Sequence, residues 1–256
     1  MLNASLSLYR ISDIPIIKPG DALAEIIHRA MQRSGEHCRT DDIIAIAQKI
    51  VSKAEGRIVD LNEITPSGRA RSLAEETGKD ARLVELILSE AKEVIRYKPG
   101  VIIVEHRCGV ILANAGIDHS NVGNAADREL VTLLPQDPNT SAKRIRAGLQ
   151  ALSGKRTGVI ITDSIGRPWR MGTVGVAIGS AGIIPLRDLR GRKDLFGETL
   201  RVSETADIDA LASAACMLMG EADDGSPVIL IRGHQPGQTD EAADRLLRPR
   251  DDDMFR

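Results

Sequence analysis

Aromatic residues are scarce in this chain: two Phe, two Tyr and one Trp among 256 residues, 2% of the total. A core must therefore be built from Ile, Val, Leu and Ala, and the stacking platforms that single-strand nucleic-acid binders need are missing. An excess of one charge is missing as well. Lys and Arg number 34 against 36 Asp and Glu, a formal net charge of −2, and no basic run occurs, so nucleic acid has no electrostatic footprint. No apolar run approaches the roughly 18 residues of a membrane span, and the N-terminus lacks the basic flank and apolar stretch of a secretion signal. Cysteine is sparse and scattered. Cys38, Cys108 and Cys216 form no C-x-x-C pair, which implies reduced thiols and a cytoplasmic protein. Repeats and low-complexity linkers are absent. What remains is 42% hydrophobic and 27% charged, enough to bury a sizeable core in one large domain or two small ones.

The periodicities predict a mixed order of helices and strands. In 20–35, Leu23, Ile26, Ile27, Ala30 and Met31 share a helical face, with Asp21 as the starting cap and Gly35 as the stop. Segment 41–56 begins as a short apolar strand and turns polar at Gln48. Residues 67–97 read as two helices broken at Gly78, the second capped by Asp80 and carrying Val84, Ile87, Leu88, Ala91, Val94 and Ile95. A hairpin follows at 101–113. After a loop at 134–139 come a helix from Ser141 and a buried strand at 157–164 followed by a Gly/Pro loop. A glycine-rich apolar strand at 174–183 is suited to close packing. A small-residue helix at 207–220, a last strand at 227–233 and a loose tail complete the chain. Hairpins without regular βαβ alternation point to an α/β or α+β fold other than a Rossmann sheet.

Two acids follow apolar strands. In ILANAGIDHSNVGN (111–124), small residues lead to Asp118 among Ser120, Asn121 and Asn124; in TGVIITDS, Asp163 lies between Thr162 and Ser164. Ligands in open α/β sheets collect beyond strand ends, and Mg²⁺ or Mn²⁺ takes one or two carboxylates with other oxygens. Equally, each Asp suits a helix cap or a turn. Lys49 and Lys53, four apart, share a face if their segment is helical and could meet phosphates; alternatively they are a solvated surface pair. EADDGS (221–226) reads as a solvated loop or as oxygens facing a cation or nucleotide. GRPWRMG (166–172) places Trp169 and Arg170 to clamp a planar or anionic substrate, or to anchor a loop. No Ser-His-Asp or Cys-His spacing is present, and GLQALSGKR lacks the P-loop pattern.

Taken together, AQKIVSKAEGR (47–57), NAGIDHSNVG (114–123), ITDSIGRPWRMGTVGVAIG (161–179) and DLRGRKDLFGETL (188–200) resemble the coenzyme F420-0:L-glutamate ligase family, the gamma-glutamyl ligases of deazaflavin coenzyme synthesis. The resemblance runs from about Ile14 to Arg232. It implies a mixed α/β, gamma-glutamyl ligase-like fold in an intertwined homodimer, here one ligase domain over 1–256 or two closely packed subdomains, without the C-terminal flavin-binding domain of some relatives. It implies a GTP-dependent ligase that joins one or more L-glutamates to coenzyme F420-0, using Mg²⁺ or Mn²⁺ with K⁺ as an aid. Residue by residue, it assigns the metal to Asp118, Asp163, Ser164 and Glu221. GTP falls to Ile14, Pro15, Ile16, Ile17, Gln48, Lys49, Lys53 and Asn121, and to Met219, Gly220, Glu221, Ala222, Asp223, Asp224, Gly225 and Ser226. Catalysis would rest on Asp118, Asp163 and Lys53. The deazaflavin site has no matching motif, and Trp169 and Arg170 are offered for it on chemistry alone. Two rivals stay open: a metal-dependent nucleotide hydrolase or phosphatase using water as acceptor, and a nucleotide- or deazaflavin-binding protein without catalysis.

Overall fold

A computed structural model describes residues 5–119, 128–220, 225–237 and 239–255. In chain order these form β1 (Ser7–Arg10), α1 (Leu23–Arg33), β2 (Ile43–Ala47), α2 (Gln48–Ala54), β3 (Ile58–Asp60), α3 (Gly68–Thr77), α4 (Ala81–Glu90), β4 (Ala91–Lys98), β5 (Val101–His106) and β6 (Ile111–Ala113). There follow β7 (Leu130–Thr132), α5 (Pro138–Ser153), β8 (Gly158–Arg167), β9 (Arg170–Ala181), β10 (Arg187–Asp188), β11 (Glu204–Thr205), α6 (Asp207–Met219) and β12 (Val228–Arg232).

The main sheet has the order β1-β12-β2-β8-β9. Only β2 and β8 run parallel within it. Its central strands are apolar at successive positions because both faces are covered. Ile44, Ile46, Val159, Ile161, Val228 and Leu230 face one core with α1 and α5, while Ile43, Ala45, Ile160, Ile229 and Ile231 face another with α6. The crossover from β2 to β8 carries a smaller core in which Leu73, Val84 and Ile87 of α3 and α4 meet Ile102 and Val104 of β5.

The glycines of β9 are explained by this layering. Between Ile161 and Thr162 of β8 the partner register shifts from Gly179 to Ala177, leaving Ile178 as an extra, bulged residue. The bulge reverses the facing of the strand. Gly175 meets α6, where an added Cβ would lie 2.6 Å from the Ala212 carbonyl oxygen, and Gly179 meets α5, where it would lie 2.5 Å from the Pro138 backbone. Backbone cannot yield as a flexible side chain can. Gly179→Ala is expected to cost about 2–3 kcal/mol, seen as a lower thermal midpoint; an unchanged midpoint would rule out this close packing.

Several sequence expectations are corrected. Asp21 does not cap α1; its carboxylate accepts from the Lys18 N–H at 2.7 Å and closes the preceding turn. Gly35 does end the helix, at φ 75°, with the Glu36 N–H returning to the Met31 carbonyl. The second helix of 67–97 stops at Glu90, and Ala91–Lys98 is a strand paired antiparallel with β5. Pro99 and Gly100, with φ 87° at the glycine, turn the chain so that Val94 and Tyr97 join a ladder instead of a helical face. The expected Gly/Pro loop after Ser164 is also a continuation of structure: β8 runs on to Arg167 and turns through Pro168 and Trp169 into β9. The tail is folded back, with Arg250 bonded to Glu93 at 2.7 Å and Phe255 beside Trp169.

Candidate active site

Where β2 gives way to α2, alongside the middle of β8, a cavity of about 530 Å³ opens. The sequence places it there simply: IIAIA is fully apolar and strand-forming, and QKIVSKA changes to helical spacing at once. The walls come from Ile14–Ile17, from Gln48, Lys49, Ile50 and Lys53 on α2, from Asp118, and from Thr162, Asp163 and Ser164 on β8. Cys216, Met219 and Gly220 at the end of α6, and Gly225, Ser226 and Pro227 before β12, complete them.

Asp118 is fixed by its backbone. Its N–H donates to the Thr132 carbonyl at 3.0 Å, and its carbonyl accepts from the Thr132 N–H at 2.8 Å. Its carboxylate forms an ion pair with Lys49 Nζ at 2.7 Å. Gln48 is buried, and its Oε1 accepts from the Ser52 hydroxyl at 2.9 Å. Lys53 lies one turn beyond Lys49. Burial first, and then the Lys49 charge, push its pKa down. The ammonium is thus held where an arriving anion would relieve both costs. Asp163 sits inside β8, paired with Val176, and not beyond a strand end as its position in the sequence suggests. Asp118, Asp163 and Ser164 bring oxygens of the kind a hard cation takes to the cavity wall. Because Lys49 already holds Asp118, such a cation would share that carboxylate. Among the described residues, no group of three or more His, Cys, Asp and Glu is placed to hold a metal.

Small residues before Asp118 have a structural reason of their own. Asn114, Ala115 and Gly116 all have positive φ, at 51°, 53° and 67°, and a Cβ on Gly116 would lie 2.9 Å from Leu134. The backbone of this turn and the close packing at Gly116 therefore call for small residues whatever the cavity holds.

The cavity thus gathers Ile14, Pro15, Ile16, Ile17, Gln48, Lys49, Lys53, Asp118, Asp163, Ser164, Met219, Gly220, Gly225 and Ser226 from segments far apart in sequence. Asn121, Glu221, Ala222, Asp223 and Asp224, together with Ser120 and Asn124, lie outside the described residues. Trp169 and Arg170 are not in its walls; they stand at the turn of the β8–β9 hairpin, with Trp169 87% exposed. Cys216 was missed by the sequence reading. It lies three residues before Met219 on α6, a spacing that puts both on one helix face.

Comparison with known proteins adds an independent line. The family model described as F420-0:Gamma-glutamyl ligase matches residues 12–233. A protein of Methanothermobacter thermautotrophicus named coenzyme F420:L-glutamate ligase is 47% identical over 253 residues, covering 98% of this chain and 99% of the relative. Proteins of the same name from Methanocaldococcus jannaschii and Methanopyrus kandleri are 44% identical over 246 residues and 47% over 234. They cover 95% and 90% of this chain, and 94% and 89% of their own lengths.

Proposed function

The chain belongs to the F420-0:gamma-glutamyl ligase family, and from that premise we propose that it is a GTP-dependent amide ligase that adds L-glutamate, once or repeatedly, to the carboxylate of coenzyme F420-0. The observation that carries this reading is one cavity lined together by Lys49 and Lys53 of α2 and by Asp118, Asp163 and Ser164, with Lys49 paired to Asp118. A carboxylate is a poor electrophile, so forming an amide requires its activation. Transfer of the GTP γ-phosphoryl group to that carboxylate gives an acyl phosphate and GDP; attack by the glutamate amine then expels phosphate and leaves the amide. Phosphoryl transfer asks the protein chiefly for positioning and charge neutralisation. Lys49 and Lys53 supply cationic charge toward the phosphates, and Ile14–Ile17 with Met219 wall the cavity with apolar surface. Asp118, Asp163 and Ser164 would hold Mg²⁺ or Mn²⁺, which when bound neutralises phosphate charge. Glu221 completes that set on the family pattern, and K⁺ would assist. No side-chain nucleophile is required, in keeping with the absence of a triad spacing.

The test is to incubate the protein with GTP, Mn²⁺, L-glutamate and coenzyme F420-0 and follow product mass. A gain of glutamate units matched by GDP supports the ligase and reports the tail length. GDP without mass gain sinks it in favour of a hydrolase, and the absence of any turnover would leave a binding protein.

We further propose that the chain works as a homodimer. Leu195, Phe196 and Val202, which lie between β10 and β11, are 100%, 92% and 85% exposed, and Met171 beside the hairpin turn is 96% exposed. Apolar side chains so concentrated on projecting segments suit a subunit interface. The double variant Leu195→Asp, Phe196→Asp is expected to sediment at half the wild-type mass; equal masses would place the interface elsewhere.

A further inference from the structure

Away from the cavity, the turn between β5 and β6 holds a thiol against a buried imidazole. His106 ends β5 and is 1% exposed. Its Nδ1 lies 3.1 Å from Cys108 Sγ and 3.1 Å from the Cys108 backbone nitrogen. Its other nitrogen, Nε2, has no aligned hydrogen-bond partner but faces Glu90 Oε2 at 3.4 Å. Glu90, 5% exposed at the end of α4, is in turn held by Arg57 at 2.5 Å. The turn itself is pinned: the His106 N–H donates to the Val110 carbonyl, the Gly109 N–H to the His106 carbonyl, and the Arg107 N–H to the Glu90 carbonyl. The sulfur is therefore held next to an imidazole whose far side is oriented by a carboxylate, the arrangement that activates a thiol toward electrophiles.

We propose that Cys108 is a modification site, a thiol activated by His106 and Glu90 that exchanges with low-molecular-weight disulfides. The Cys108 proton leaves to solvent, and the charged His106 ring beside the sulfur stabilises the thiolate. The sulfur attacks one sulfur of the disulfide, a new S–S bond forms as the old one breaks, and the departing thiolate takes up a proton from solvent. Cys108 is oxidised and the departing sulfur reduced, so no other reagent is needed. Burial alone would disfavour charge on His106, but Cys108 and Glu90 outweigh it and raise its pKa to about 9, so below that pH the ring is charged beside the sulfur. The remaining charged groups at this turn are Arg57, after α2, and Arg107, 3.9 Å from Glu90; Glu93 of β4 and Arg250 pair with each other. The other cysteines are internal controls. Cys38 is buried against Met31, and burial raises its pKa; Cys216 lines the cavity.

The experiment treats the full chain with 4,4′-dithiodipyridine and assigns each modified cysteine by peptide mass. Cys108 is expected to react at least about tenfold faster than Cys38 and Cys216, and His106→Gln to slow Cys108 by about tenfold while leaving the other two rates unchanged. Equal rates among the three, or a Cys108 rate indifferent to His106→Gln, would overturn the proposal. If that variant does not fold, the wild-type pH profile decides. A Cys108 rate that stays well above those of Cys38 and Cys216 as pH falls supports the pair, and one that falls in step with theirs refutes it.

Discussion

Asp163→Asn is expected to lower ligation by about a thousandfold while the thermal midpoint stays near that of wild type. Asp163 lies in a strand held on both sides by backbone pairing, to β2 through its neighbour Thr162 and to β9 directly, so an isosteric amide leaves the ladder intact. What it removes is charge facing the cavity. Asp118→Asn is expected to behave alike, because the backbone bonds to Thr132 and not the side chain hold its segment. Its pair with Lys49 is partly solvated, with the two side chains 23% and 37% exposed, and such pairs contribute about 1 kcal/mol or less. Loss of activity should therefore arrive without loss of fold. Measured ligation at the wild-type rate in either variant, with far-ultraviolet dichroism unchanged, would show that these carboxylates hold no metal needed for the reaction.

The largest expected effect on stability belongs to Arg57, Glu90 and His106. Glu90 is enclosed, and Arg57 both neutralises it and donates from Nε to the Leu134 carbonyl at 3.0 Å. Arg57→Met strands a buried carboxylate and is expected to cost about 3 kcal/mol, or roughly 10 °C in the melting midpoint. The same group makes stability depend on pH from both sides. His106 is raised to about 9 in the fold, so its contribution is complete below about pH 6.5, its unfolded value, and is lost as pH rises through about 9. Burial works to raise the Glu90 pKa, yet His106 and Arg57 outweigh it and leave it lowered. Its contribution is present above the unfolded carboxylate range and is lost as pH falls through its folded value. Melts followed by dichroism should thus peak near pH 6 and decline toward pH 9, and His106→Gln should flatten the alkaline decline. A wild-type midpoint constant from about pH 6 to 9 would contradict the network.

The elements most visible in the sequence are those with one unambiguous period. IIAIA, VIIT and VILIR are continuous apolar runs too short for helices, and α1, α5 and α6 keep their apolar residues at helical spacing; all fold as their patterns dictate. Ala91–Lys98 was misread because Val94 and Ile95 continue the spacing of Val84 and Ile87, and neither Gly nor Pro separates them. Pairing with β5, a tertiary event, decides the matter. Residue chemistry marked Asp118, Asp163, Lys49 and Lys53, but no spacing could reveal that Lys49 reaches Asp118 across the elements from β3 to β6, or that Ile14–Ile17 line the same cavity. Trp169 and Arg170 were offered for a substrate on stacking and charge, chemistry that carries no information on place, and they stand at a hairpin turn outside the cavity walls.

That hairpin turn also determines what light can report about this molecule. Trp169 is the only tryptophan, it sits at φ 65° on a projecting turn, and its ring lies 6.0 Å from that of Phe255. Tryptophan emission, selectively excited, therefore has a single source, one that belongs to none of the core clusters. A fluorescence trace taken during heating would record first the departure of the tail from the turn, and only with the opening of the β8–β9 hairpin the melting of the sheet.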